Sequence, residues 1–168
     1  MNGSSVGLDV PLAARRHRAM RVLHRAMLFT AAAGLAAIAP AAHAANCTIA
    51  TTSVAFGAYD VFAASPNESG TGTVTVDCKG GAGEVTLSTG QSGAYASRWM
   101  TSGADALSYN LYTSAARSTI WGDGTGGSSS ITSGKNATAT LTVYGRIPAG
   151  QDAAVGTYTD SVTATVTF

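Results

Sequence analysis

The segment Thr157-Tyr158-Thr159-Asp160-Ser161-Val162-Thr163-Ala164-Thr165-Val166-Thr167-Phe168 decides the fold class. Every odd position is Thr or Ser, and the even positions Tyr158, Val162, Ala164, Val166 and Phe168 are apolar, with Asp160 the exception. Successive side chains of a strand point to opposite faces, so this alternation predicts one strand with a dry face and a wet face. Working outward, the same period of two recurs in Thr73–Cys78, Glu84–Ser88, Leu107–Leu111 and Thr138–Val143, with a further strand around Val54-Ala55-Phe56. Between them stand Gly80-Gly81-Ala82-Gly83, Gly90–Gly93, Gly122–Gly127 and Gly156, which supply the positive-φ conformations that turns require. No segment after the first 44 residues shows the three- and four-residue apolar spacing of a helix. Six or seven short Thr- and Val-rich strands joined by such turns predict an all-β, immunoglobulin-like antiparallel sandwich. The Ser- and Gly-rich stretch 124–134 reads as a mobile loop.

The first 44 residues have a different plan. Arg15, Arg16, Arg18, Arg21 and Arg25 precede the apolar run Met27–Ile38, and Ala42-His43-Ala44 follows. A basic region, a short apolar stretch and small residues at −3 and −1 make a secretory signal peptide over residues 1–44, with cleavage expected after Ala44. The run is shorter than the roughly 20 residues that span a bilayer. Met20 would make a more ordinary start for such a leader. Residues 45–168 form one domain, long enough to enclose a single core.

Removing the leader changes the charge. The whole chain carries +1. The mature part sets Lys79, Arg98, Arg117, Lys135 and Arg146 against eight acids, a net −3. Nucleic-acid and anionic-membrane binding need clustered Lys and Arg, so neither is expected. Cys47 and Cys78 both lie in the exported part, and compartment and even count favour a disulfide. Two cysteines without CxxC spacing or histidine ligands make a poor zinc site. All three histidines, His17, His24 and His43, fall within residues 1–44.

Without histidine, and with both cysteines oxidised, Ser–His and Cys–His nucleophiles are excluded from the mature chain. Paired carboxylates remain as candidates in Asp60, Asp105, Asp123, Asp152 and Asp160, but each is read beside a turn or on a wet strand position. No enzymatic activity, cofactor, metal or small-molecule substrate is expected. Trp121-Gly122-Asp123-Gly124 lacks the alternating ligands and later Glu of a calcium loop, so it reads as a turn with a half-buried Trp. Arg146 with Asp60 or Asp123 is weighed as a binding site against a surface ion pair or turn brace, and the brace is favoured. The aromatics Tyr95, Trp99 and Phe62 either fill the core or form a sticky exposed surface, and core is favoured. Three glycosylation-type tripeptides, at Asn46, Asn67 and Asn136, are assigned no function.

Four strings, Phe56-Gly57-Ala58-Tyr59-Asp60, Tyr109-Asn110-Leu111-Tyr112, Trp121-Gly122-Asp123-Gly124 and Tyr144-Gly145-Arg146-Ile147-Pro148-Ala149-Gly150-Gln151, stand in order with the two cysteines. Together they resemble the spore coat protein U domain family, which includes subunits of archaic, Csu-type chaperone–usher pili. The resemblance runs from about Cys47 to Phe168. It implies a pilin fold lacking its last strand, which a periplasmic chaperone and then the next subunit supply during assembly at an outer-membrane usher. It also implies passage through the periplasm to a cell-surface fimbrium, serving attachment and biofilm formation. Cys47 and Cys78 would tie the first strand to the second.

In this reading Tyr158, Val162, Ala164, Val166 and Phe168 form the edge that chaperone and donor strands pair with, because the chain stops inside its most regular strand. A donor burying four or five alternating side chains at about 1.5–3 kcal/mol each contributes on the order of 6–15 kcal/mol. That matches the whole stability of a small domain, about 5–15 kcal/mol. Only Ala45 and Asn46 stand between the cleavage site and Cys47, so a chain that accepts a donor and gives none is expected, and the reading is a structural pilus subunit or, at the fibre tip, an adhesin. The alternative is a monomeric secreted or spore-coat structural protein with a complete sandwich.

Overall fold

The computed structural model describes residues 2–6 and 45–168. The leader read over residues 1–44 therefore lies outside the described residues, apart from the backbone of Asn2–Val6. In chain order the strands are β1 (Asn2–Val6), β2 (Asn46–Thr51), β3 (Val54–Tyr59), β4 (Thr71–Lys79), β5 (Glu84–Leu87), β6 (Arg98–Ser102), β7 (Asp105–Tyr112), β8 (Ile120–Trp121), β9 (Ser128–Ser129), β10 (Ile131–Thr132), β11 (Thr138–Arg146) and β12 (Ala164–Thr167). One 3-10 turn, Gly90–Ser92, is the only helical element among the described residues. The expected all-β fold is the observed one.

β4 shows how the pattern becomes a layer. Gly72, Val74, Val76 and Cys78 are buried, while Thr71, Thr73, Thr75, Asp77 and Lys79 alternate with them on the wetter face. Pairing then follows the faces. β4 and β11 run antiparallel over Thr71–Asp77 and Thr138–Tyr144. β2 pairs with the other side of β4 along its whole length, and β3 meets the same side at Ala55↔Thr71. β7 joins β11 through Asn110–Tyr112, forms a hairpin with β6 and meets β8 at Tyr112↔Ile120. β8 and β9 are the one parallel pair among the described strands. β1 adds antiparallel to β3, from Asn2↔Tyr59 to Val6↔Val54, with a bulge between Ser4 and Ser5. A second, three-stranded sheet has the order β10-β5-β12.

The inner faces of these sheets enclose a core that includes Phe56, Val74, Leu111, Val143 and Ile147 from the larger sheet and Val85, Leu87 and Ala164 from the smaller. The Trp121 indole crosses between sheets and donates Nε1–H to the Val85 carbonyl at 3.1 Å. Phe56 lies edge-on to Tyr109, with ring centroids 5.9 Å apart. Its ring is held between Gly70 and Gly145, where a Cβ on either glycine would overlap ring carbons. Those two glycines are themselves joined, Gly145 N–H to the Gly70 carbonyl, at 2.7 Å.

Four sequence expectations are corrected. The segment Thr157–Phe168 is not one strand: Thr159 pairs with Thr101 of β6, and only Ala164–Thr167 is regular strand, paired with β5. The stretch 124–134 is not simply a loop, because it carries β9 and β10, with Ser128 and Ser133 buried. β6 does not show in the alternation, and β2 enters only as the first strand that the resemblance implies at Cys47. The disulfide joins Cys47 of β2 to Cys78 of β4, directly opposed neighbours in one sheet, with β3 lying between them in the chain.

Two outcomes follow for stability. Gly145→Ala should cost about 1–3 kcal/mol by forcing the Phe56 ring aside, read as a lower urea midpoint; an unchanged midpoint would show that the ring has room. Replacing both cysteines by Ala should cost about 3–4 kcal/mol for a bridge across 31 positions, read in the same titration against the oxidised chain.

Candidate functional site

The five residues read as a partner edge are divided by the fold. Tyr158, Val162 and Ala164 are buried, Val166 packs partly against the core and Phe168 is 51% exposed. Tyr158 adjoins the β6 side of the molecule, whereas Ala164 and Val166 belong to β12 on β5. β12 ends the path of the smaller sheet, with β5 its only strand partner among the described residues. The alternation therefore does create a strand at the end of a sheet, but a shorter one than its sequence period suggests. Val166 reaches over Gly83, where a Cβ would meet Val166 Cγ2 at 2.6 Å and each disulfide sulfur at 3.1 Å.

Two buried polar groups, Asp160 and Arg98, stand beside the point of division. Asp160 is 5% exposed. It occupies the dry face, so its assignment to a wet or turn position is corrected. One carboxylate oxygen accepts Tyr109 O–H at 2.6 Å, and the other accepts the backbone N–H groups of Gln91 and Ser161 at 3.0 and 2.7 Å. A buried carboxylate is tolerable only when its lone pairs are met in this way. Gly90, at φ +66°, passes so close that any Cβ would strike the carboxylate.

Arg98, fully buried, is the partner group that sequence reasoning missed. Its Nε and Nη2 donate to the Ser88 carbonyl at 3.2 and 2.8 Å, Nη2 also to the Trp121 carbonyl at 2.7 Å, and Nη1 to Asn110 Oδ1 at 2.7 Å. The guanidinium carbon stands 5.2 Å from the Tyr95 ring centroid. Desolvation lowers the Arg98 pKa, and nearby Tyr109, Tyr95 and Asp160 oppose that effect. The one available signal was that Arg98 and Met100 share the parity of a strand's inner face.

The proposed pairing of Arg146 with Asp60 or Asp123 is corrected as well. Arg146 Nη2 lies 2.6 Å from Glu68 Oε1, and Arg117 Nη1 lies 3.1 Å from Glu68 Oε2. Arg146 stands over the Tyr112 ring and Arg117 over the Tyr144 ring, at 5.6 and 5.9 Å. Asp60 and Asp123 instead hold local turns, accepting Phe62 N–H and Thr125 N–H, each at 2.9 Å. Trp121 is entirely buried, not half-buried. The core reading of the three aromatics is corrected for Phe62, which is 92% exposed, while Tyr95 and Trp99 are partly covered.

Among the described residues no three His, Cys, Asp or Glu side chains gather as a metal site would need. The geometry defines a structural β-sandwich whose distinctive feature is its strand edges. The spore coat protein U domain matches residues 32–165, and the chain belongs to that family. Protein U of Myxococcus xanthus is similar to it, 42% identical over 64 residues, which cover 38% of this chain and 35% of the relative. The match thus spans about a third of that relative's length.

Burial and the Asp160 contact hold the Tyr109 phenol well above its ordinary value of 10.0. A proton held more tightly in the folded state stabilises below the unfolded pKa, and that stability is lost as pH rises. Stability should therefore fall as pH climbs past 10, and Tyr109→Phe should flatten that alkaline decline. At neutral pH the same substitution should cost about 1–3 kcal/mol by leaving an Asp160 oxygen unmet. Urea titrations between pH 7 and 11 read both effects, and parallel curves for the two proteins would refute the assignment.

Proposed function

We propose that this chain is an exported structural subunit of a bacterial surface fibre, assembled by strand addition in the chaperone–usher manner. The observation that carries the reading is that β3 accepts β1, an extra antiparallel strand drawn from far along the chain. An edge that takes such a strand exchanges main-chain hydrogen bonds with any segment of compatible register. If residues 1–44 leave as a signal peptide, β1 leaves with them and the β3 edge becomes available. β12, with Val166 and Phe168 partly or largely exposed, offers a second strand edge.

In this function the partners are a periplasmic chaperone, an outer-membrane usher and other fibre subunits. The chaperone holds the edge in transit, and a neighbouring subunit takes it over in the fibre. Attachment and biofilm formation are the processes such a fibre serves. A second reading, a secreted or spore-coat structural protein with a self-complete sandwich, is favoured by the name of the family and by the burial of Tyr158, Val162 and Ala164 against the chain's own core.

Export of the full chain with and without a candidate periplasmic chaperone separates the two. Fibre assembly predicts a large gain in soluble periplasmic protein with the chaperone. It also predicts stabilisation by about 2.7 kcal/mol when the chaperone stands at a hundred times its Kd. Equal yields and equal unfolding midpoints would sink the fibre reading and leave the coat protein.

A further inference from the structure

The C-terminal segment changes sheets within four residues. Thr159 exchanges both backbone hydrogen bonds with Thr101 of β6, at 2.9 and 3.0 Å. By Ala164 the chain is paired with Leu87 of β5. Nothing in the Thr/apolar alternation dictates a crossing there, since the pattern continues unbroken on both sides. What marks the crossing is polar chemistry. Asp160 enters on the inner face and fixes Tyr109, Gln91 and Ser161. Three residues on, Thr163 is held twice by Ser88: its carbonyl accepts Ser88 N–H at 2.8 Å, and its N–H donates to Ser88 Oγ at 2.9 Å.

Ser88 is in turn fixed by Arg98. Two guanidinium nitrogens close on its carbonyl, and the remaining bonds tie the same group to Trp121 and Asn110. All four of these bonds end on neutral oxygens. A buried cation satisfied this way holds several backbone positions at once, because its planar fork fixes distance and direction together. Lysine, with one flexible ammonium, could not meet Ser88, Trp121 and Asn110 in the same geometry.

We infer that Arg98 and Asp160 form a two-part lock that sets the crossing point of the C-terminal segment, and with it the register at which β12 lies on β5. Arg98 acts through Ser88 and is a positioning residue. Where the assembly reading above holds, the lock also fixes which side chains β12 presents to an incoming strand, and that clause alone rests on the reading. A shift of one residue would turn the β12 residues to opposite faces, bringing Thr165 and Thr167 inward in place of Ala164 and Val166.

Amide hydrogen exchange on the full, oxidised chain tests the lock without any partner. Arg98→Lys should lower protection of the β5 and β12 amides at least about tenfold while leaving the β4–β11 ladder within about twofold. Val76→Ala serves as the comparison, a core truncation that should loosen the larger sheet instead. Ser88→Ala, which removes only the Oγ contacts to the Thr163 and Gly90 amides, should expose the Thr163 amide and weaken β12 in the same local pattern. It decides the matter if Arg98→Lys fails to fold. Loss spread evenly over both sheets in the folded variants, or no loss at β12, would overturn the lock. Local loss at β12 combined with no gain from any chaperone would keep the lock and discard the assembly reading.

Discussion

A guanidinium cannot be left dry and unpaired, and that constraint organises the interior of this sandwich. Arg98 cannot shed its proton at any ordinary pH, so the fold must bring acceptors to it. It does so with carbonyls from the ends of β5 and β8 and an amide oxygen on β7. Those acceptors belong to both sheets, so satisfying one charge fixes the spacing of the layers. The Trp121 indole adds a second tie between them by its bond to Val85. Hydrophobic contact alone is non-directional and would tolerate sliding of one layer over the other; directional bonds inside the core do not.

The same interior explains why the chain's last segment bends where it does. Its burial follows period two from Tyr158 through Asp160, Val162 and Ala164, so the dry face includes a carboxylate. A polar residue placed there must find donors, and they lie on Tyr109, at Ser161 and at Gln91. Membership of the spore coat protein U domain family fits a molecule whose chemistry lies in backbone pairing and packing.

Much of the architecture was legible in the sequence because strand periodicity is local. Thr73–Cys78, Glu84–Ser88, Leu107–Leu111 and Thr138–Val143 all lie on or within one residue of observed strands, and their apolar positions face the core. β6 was hidden because Arg98 takes an inner position where an apolar residue would advertise a strand, and β2 because Asn46–Thr51 alternates weakly. Arg146 was misassigned because its partner, Glu68, lies 78 positions away in the chain and reaches it only through the β11–β4 neighbourhood. The edge residues were identified as a set by their period, but the crossing that separates Tyr158 from Val166 depends on contacts from Ser88, Gln91 and Thr101. Such long-range contacts leave no periodic trace.

The placement of the disulfide carries a consequence for its reactivity. Cys78 is fully covered and Cys47 nearly so, with Gly83, Ser133 and Val166 gathered over the sulfurs. Thiol exchange needs direct access to a sulfur, so a reductant in the surroundings meets a sealed bond for as long as the fold stays shut.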